Sequence, residues 1–217
     1  VNSHRNGTLD SIRREAQDRF AGARGSHDWG HTQRVLALCR HLGAVEGGDP
    51  FVLEAAALLH DIGREAQDRS RGKICHAQHG ARLAAGILRR HGVAQEDADR
   101  IIRCVRTHRF RGKHEPDSLE ARILYDADKL DSIGAVGIGR AFLFAGEVGA
   151  TLHVTSAEGG LGETYSREDT AWREYQVKLC RIRDRMLTAE GRRLAGERHR
   201  FMEEFFTRLD REVDGIL

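Results

Sequence analysis

Proline occurs only twice in this chain, at Pro50 and Pro116. It interrupts helix interiors because it lacks an amide donor and clashes with the preceding turn, so its scarcity leaves room for long helices. No apolar stretch approaches the roughly 18–20 residues that a membrane-spanning helix needs, and no secretory apolar segment is evident near residue 1; a cytoplasmic protein without a membrane partner is expected. Neither sign of charge dominates, with 35 Lys and Arg against 33 Asp and Glu, which removes any global electrostatic case for nucleic acid. Aromatic residues make up only 6% and offer no stacking platform for single strands. The arginines from Arg181 to Arg200 alternate with Asp184, Glu190 and Glu197, the pattern of a solvated helix face. Cys39, Cys75, Cys104 and Cys180 are widely separated, with no Cys-x-x-Cys pair, and read as reduced thiols.

Helical periodicity fills most of the chain. Leu9, Ile12, Ala16 and Phe20 form one apolar stripe; Val35, Leu38, Cys39 and Leu42 form a second. Pro50 opens a third helix with Asp49 as its N-cap, and Gly63 stands where a C-terminal cap belongs. Leu83, Ala84, Ile87 and Leu88 mark a fourth, and Ile101, Ile102 and Val105 a fifth. No segment alternates with period two between hairpin turns, so an all-α bundle is expected. The glycine-rich stretch near 146–166 has no sustained period and reads as a long loop, a lid or a disordered connection. After it, Tyr175, Leu179, Ile182 and Met186 predict one helix, and Met202, Phe205, Phe206, Leu209 and Val213 another, both packing back on the core.

The chemistry gathers around His60-Asp61, which follows the apolar run Ala55-Ala56-Ala57-Leu58-Leu59. A carboxylate at the buried end of such a helix costs several kcal/mol unless something pairs with it. His31 lies upstream in Ser26-His27-Asp28-Trp29-Gly30-His31, and a carboxylate cluster, Asp126, Asp128 and Asp131, lies downstream. Two imidazoles and two carboxylates suit one divalent cation and leave coordination positions open. Spacing alone does not choose among the three distal aspartates.

These motifs resemble the HD-domain metal-dependent phosphohydrolase superfamily, marked by a His, a His-Asp doublet and a distant Asp. Ser26-His27-Asp28-Trp29-x-His31-x-x-Arg34-Val35, Leu58-Leu59-His60-Asp61-Ile62, Asp126-Ala127-Asp128-x-Leu130-Asp131-x-Ile133-Gly134 and Glu197-Arg198-His199-x-Phe201-Met202 resemble one bacterial branch that includes nucleotide pyrophosphohydrolases. The resemblance implies an HD-domain helical bundle in a single domain over 1–217, with an HD core about 26–145 and a C-terminal helical extension about 167–217. It implies metal ligands at His31, His60, Asp61 and Asp128, with Asp126 as the fallback and Asp131 supporting Asp128. Asp61 would also orient a water, and Arg64, His27 and Lys129 would bind substrate phosphate.

His76 and His108 match positions that complete a second metal site in two-metal members; in the branch resembled here they are expected to face substrate instead. One divalent ion is therefore expected, Mn²⁺ or Mg²⁺ before Fe, Co or Ni, with a nucleotide as substrate. The leading activity is hydrolysis of a nucleoside or deoxynucleoside triphosphate to monophosphate and pyrophosphate. A phosphomonoesterase or phosphodiesterase, a di-iron oxygenase and a nucleotide-sensing module are the alternatives. Base preference and oligomeric state leave no sequence signal.

Overall fold

The computed structural model describes residues 2–20, 28–70, 72–109, 114–153 and 165–217, and among them every regular element is helical. They fall into two compact units, Val1–Asp128 and Lys129–Leu217. None of their helices is long and apolar enough to cross a membrane.

In the first unit, α1 (Asn2–Arg19) buries Ile12 and Ala16 completely. In α2 (Trp29–Glu46) the stripe Val35, Cys39 and Leu42 is inaccessible to solvent. The Asp28 carboxylate accepts the His31 amide at 2.9 Å, closing the first turn of α2; Gly47, at φ +88°, ends that helix in the left-handed region, which glycine enters without steric cost.

Helix α3 (Pro50–Leu59) is apolar on almost every side, with Phe51, Val52, Leu53 and the run Ala55 to Leu59 all buried. A helix of this kind belongs in a core, and α3 packs against α1, α2 and α6. Asp49 caps it as expected, accepting the Phe51 and Val52 amides at 2.9 and 3.3 Å. The remaining helices are α4 (Arg64–Arg69), α5 (His76–Arg90), α6 (Gln95–Thr107) and α7 (Leu119–Leu130), the last running into the second unit. Arg100 of α6 clamps the start of α3 to α7, donating to Asp49 at 3.1 Å and to Glu120 at 2.8 Å.

Gly63 does not cap α3. That helix ends at Leu59, His60 keeps right-handed helical angles, and Gly63 sits at φ −91° just before α4. Its role is close approach. A Cβ on Gly63 would lie 2.4 Å from the His76 carbonyl oxygen and 2.6 Å from the Gly80 amide nitrogen. The turn after the His-Asp doublet therefore rests backbone to backbone on the first turns of α5.

The second unit holds α8 (Gly134–Glu147), α9 (Ala171–Val177) and α10 (Ala189–Val213). The single helix expected over Tyr175–Met186 is instead α9 followed by two 3₁₀ turns, Leu179–Arg181 and Arg183–Arg185. Tyr175, Leu179, Ile182 and Met186 are all buried; steps of three and four residues satisfy tight 3₁₀ turns as well as an α-helix. Tyr175 stacks on Phe206 of α10 with ring centroids 4.4 Å apart, and Phe142 of α8 meets Phe205 edge-on at 6.1 Å. Gly134, at φ +74°, lies where a Cβ would meet Arg198 at 2.9 Å, and Arg198 donates to the Leu130 carbonyl at 2.5 Å. The expected loop starts as α8 ends; the Thr151 amide donates to the Arg167 carbonyl at 2.9 Å, and 154–164 lie outside the described residues.

Candidate metal centre

Five helices of the first unit bring six side chains together. His31 stands in the first turn of α2, His60 and Asp61 directly after α3, His76 at the first position of α5, His108 just beyond α6, and Asp128 near the end of α7. His31 and His60 are inaccessible to solvent, Asp61, His76 and His108 are buried, and Asp128 is half-buried.

Two donor triads result: His31, His60 and Asp128, and Asp61, His76 and His108, the donor atoms within each lying within 4.8 Å of one another. In the first, His31 Nε2 is 3.2 Å from His60 Nε2 and 3.4 Å from Asp128 Oδ1. In the second, His76 Nε2 is 3.0 Å from His108 Nε2 and 3.3 Å from Asp61 Oδ1. Asp61 joins them: its Oδ1 faces the second triad, and its Oδ2 lies 3.8 Å from His31 Nε2 and 3.9 Å from His60 Nε2.

The hydrogen-bond directions fit a cation. His60 Nδ1 lies 2.8 Å from the Ala57 carbonyl and His108 Nδ1 2.7 Å from the Val105 carbonyl. A carbonyl oxygen only accepts, so each Nδ1 carries a proton, and Nε2 is the atom each ring presents to the cluster. Where both facing Nε2 atoms carry lone pairs, an approach of about 3 Å beside a carboxylate is repulsive unless a proton or a cation lies among them.

Burial reinforces the neutral state. It drives the His60 pKa down to about 4 against the pull of Asp61, with His31 and His108 adding to the decrease. It drives His76 further, to about 2, again against Asp61 and with help from His108, Arg64 and Arg109. Neutral imidazoles are what a metal requires.

The expected substrate residues are placed less uniformly. Arg64 opens α4 with Nη1 3.3 Å from His76 Nδ1, at the edge of the cluster. Lys129 follows Asp128 along α7, is half-buried, and falls in the second unit. His27 lies outside the described residues. Asp126 is fully buried but belongs to neither triad, and Asp131 holds Arg140 at 2.7 Å. Two residues without a sequence signal also border the cluster. Gln67, a neutral amide in a short polar helix, accepts from Arg109 Nη1 at 2.8 Å and lies 2.8 Å from His76 Nδ1.

A buried His/Asp cluster of this kind could hold a metal ion, and a family model of the HD domain matches residues 28–133, which contain all six of its side chains. The chain belongs to the HD-domain family of metal-dependent hydrolases. Among its relatives, the uncharacterized protein YpgQ of Bacillus subtilis is 36% identical over 212 residues, covering 95% of this chain and 94% of that protein. The crystal structure of YpgQ in complex with ADP matches with a TM-score of 0.75 at 32% identity, covering 96% of each chain. The crystal structure of an HD-superfamily hydrolase from Bacillus thuringiensis also gives 0.75, at 25% identity, over 97% of this chain and 98% of that one.

Proposed function

We propose that the chain hydrolyses nucleoside or deoxynucleoside triphosphates to monophosphate and pyrophosphate, using one divalent ion, Mn²⁺ or Mg²⁺ before Fe, Co or Ni, held by His31, His60, Asp61 and Asp128. The observation that carries this reading is the convergence of buried Nε2 and carboxylate oxygen atoms on Asp61, whose two oxygens face opposite triads. The ADP held by YpgQ supports a nucleotide as the ligand.

A bound divalent ion lowers the pKa of its water and neutralises charge developing on the phosphoryl oxygens. Asp61 accepts a hydrogen bond from the attacking water and aims its oxygen at the α-phosphorus. That oxygen bonds to phosphorus as the bond from phosphorus to the α–β bridging oxygen breaks; the water's proton passes to Asp61, and pyrophosphate leaves with the bridging oxygen. Arg64 supplies a fixed cation for oxygens that the metal does not reach, and His27 is proposed as a further phosphate contact.

One observation favours a second reading of His76 and His108. A neutral Nε2 lone pair repels a phosphate oxygen and attracts a cation. The 3.0 Å approach of the two Nε2 atoms beside Asp61 Oδ1 therefore suits a second ion better than direct phosphate contact. Phosphomonoester or diester hydrolysis at the same centre remains the competing activity. Phosphorus NMR of metal-stripped protein with a nucleotide panel, before and after Mn²⁺, separates them. Metal-dependent pyrophosphate with a monophosphate is the expected result; orthophosphate alone, or a product from diesters only, would refute the pyrophosphohydrolase reading.

A further inference from the structure

Gln67 lies near the middle of α4, and its side-chain oxygen has two close partners. Oε1 is 2.8 Å from Arg109 Nη1 and 2.8 Å from His76 Nδ1, with the His76 backbone amide at 3.4 Å. A guanidinium has donors and no acceptor. The Gln67 atom facing Arg109 is therefore its carbonyl oxygen, and the amide orientation follows from chemistry. The same oxygen can only accept from His76, so the proton sits on Nδ1. The neutral ring then directs its Nε2 lone pair at His108 Nε2, 3.0 Å away, and toward Asp61 Oδ1, 3.3 Å away. Arg64 Nη1, 3.3 Å from the protonated Nδ1, is a neighbouring charge and not a donor to that atom.

The other two rings of this kind, His60 and His108, give their Nδ1 protons to backbone carbonyls. His76 gives its proton to a side chain instead. Of the three tautomers, that of His76 is the one set by a replaceable group.

We propose that Gln67 is a positioning residue: Arg109 orients its amide, its oxygen holds the Nδ1 proton of His76, and His76 Nε2 is thereby presented, with His108 and Asp61, to a second divalent ion. This rests on the two-ion reading of the centre, but its main readout is independent of substrate. Partners of this type around a ligating histidine typically change metal affinity about 10–100-fold.

The test combines imidazole nitrogen-15 NMR of the Mg²⁺-loaded protein with Mn²⁺ titration of the metal-stripped protein. In the wild type, His76 is expected to carry its proton on Nδ1, and two Mn²⁺ ions to bind. Gln67→Leu should mix the His76 tautomers and weaken one of the two ions by about 10–100-fold while sparing the other. Gln67→Glu, which keeps an acceptor at that position, should retain the Nδ1 proton and both ions. A wild-type protein with the proton on Nε2, a single Mn²⁺ per chain, or a Gln67→Leu variant with unchanged tautomer and affinities would each overturn the proposal. The wild-type spectrum decides even if Gln67→Leu fails to fold. A protein with the expected tautomer and ions that releases no pyrophosphate would refute the proposed activity and leave the role of Gln67 standing.

Discussion

The Nε2 atoms of His31 and His60 face each other at 3.2 Å across a sequence separation of 29 residues. The His60 Nδ1 proton is committed to the Ala57 carbonyl, which leaves His60 Nε2 as an acceptor toward His31; the proposed cation would be shared by both rings with Asp61 and Asp128. Saturating Mn²⁺ should stabilise the metal-stripped protein. At 100 times Kd the gain is about 2.7 kcal/mol, or roughly 5–10 °C in Tm for a chain of this size. Differential scanning calorimetry with and without Mn²⁺ measures it, and His60→Ala should reduce the shift.

Asp61→Ala should remove both bound metal and turnover while leaving helical circular dichroism largely intact, because Asp61 serves both triads and lies between α3 and α4 rather than within a helix. Metal analysis of the purified variant beside its turnover is the check. Retention of full metal and full rate would show that the centre is elsewhere.

Arg64→Ala should leave metal affinity within about twofold and raise KM about tenfold or more, the loss of roughly 1.4 kcal/mol of charge-assisted binding. Steady-state kinetics beside a Mn²⁺ titration separates the two effects. An unchanged KM would make Arg64 a surface charge.

The low pKa values of His60 and His76 make the metal-stripped protein sensitive to acid. Their folded-state values lie below the ordinary imidazole range, so as pH falls below about 6.5 the unfolded chain takes up protons that the native state refuses. Stability is full above that pH and declines toward pH 4, by on the order of 1 kcal/mol per unit for each group. Thermal melts between pH 7.5 and 5 should show the decline, and His60→Gln should roughly halve it, leaving the His76 contribution.

Gly63→Ala should cost about 2–4 kcal/mol, since the added methyl meets the His76 carbonyl oxygen and the Gly80 amide nitrogen, backbone atoms that cannot turn aside. Chemical denaturation measures the loss. A variant within about 0.5 kcal/mol of wild type would show that α5 does not hold this turn so closely.

Apolar periodicity was enough to read α1, α2, α3, α5 and α6 of the first unit, but not α7 or the short α4, which has no buried residue. Asp49 and Pro50 announce the start of α3 because a short carboxylate and a ring-locked φ act locally, within one turn. The stripe at Tyr175, Leu179, Ile182 and Met186 was legible as burial but not as geometry, since 3₁₀ and α turns both accept that spacing. Gly63 was misread as a helix cap because its real constraint, the backbone of α5, is 13 to 17 residues further along the chain and leaves no local mark.

The site divides in the same way. By itself the sequence determined the residue types, their order and the family resemblance: His31, the His60-Asp61 doublet, the distal aspartates, and His76 and His108 as companions. The resemblance put Asp128 before Asp126, and only the tertiary structure decided that Asp61 turns one oxygen toward each triad and that Gln67 and Arg109 stand behind His76. Ligand identity is written in side-chain chemistry, which one position carries alone. Tautomers, lone-pair directions and donor pairings belong to contacts between distant segments, and these exist only once the helices have packed.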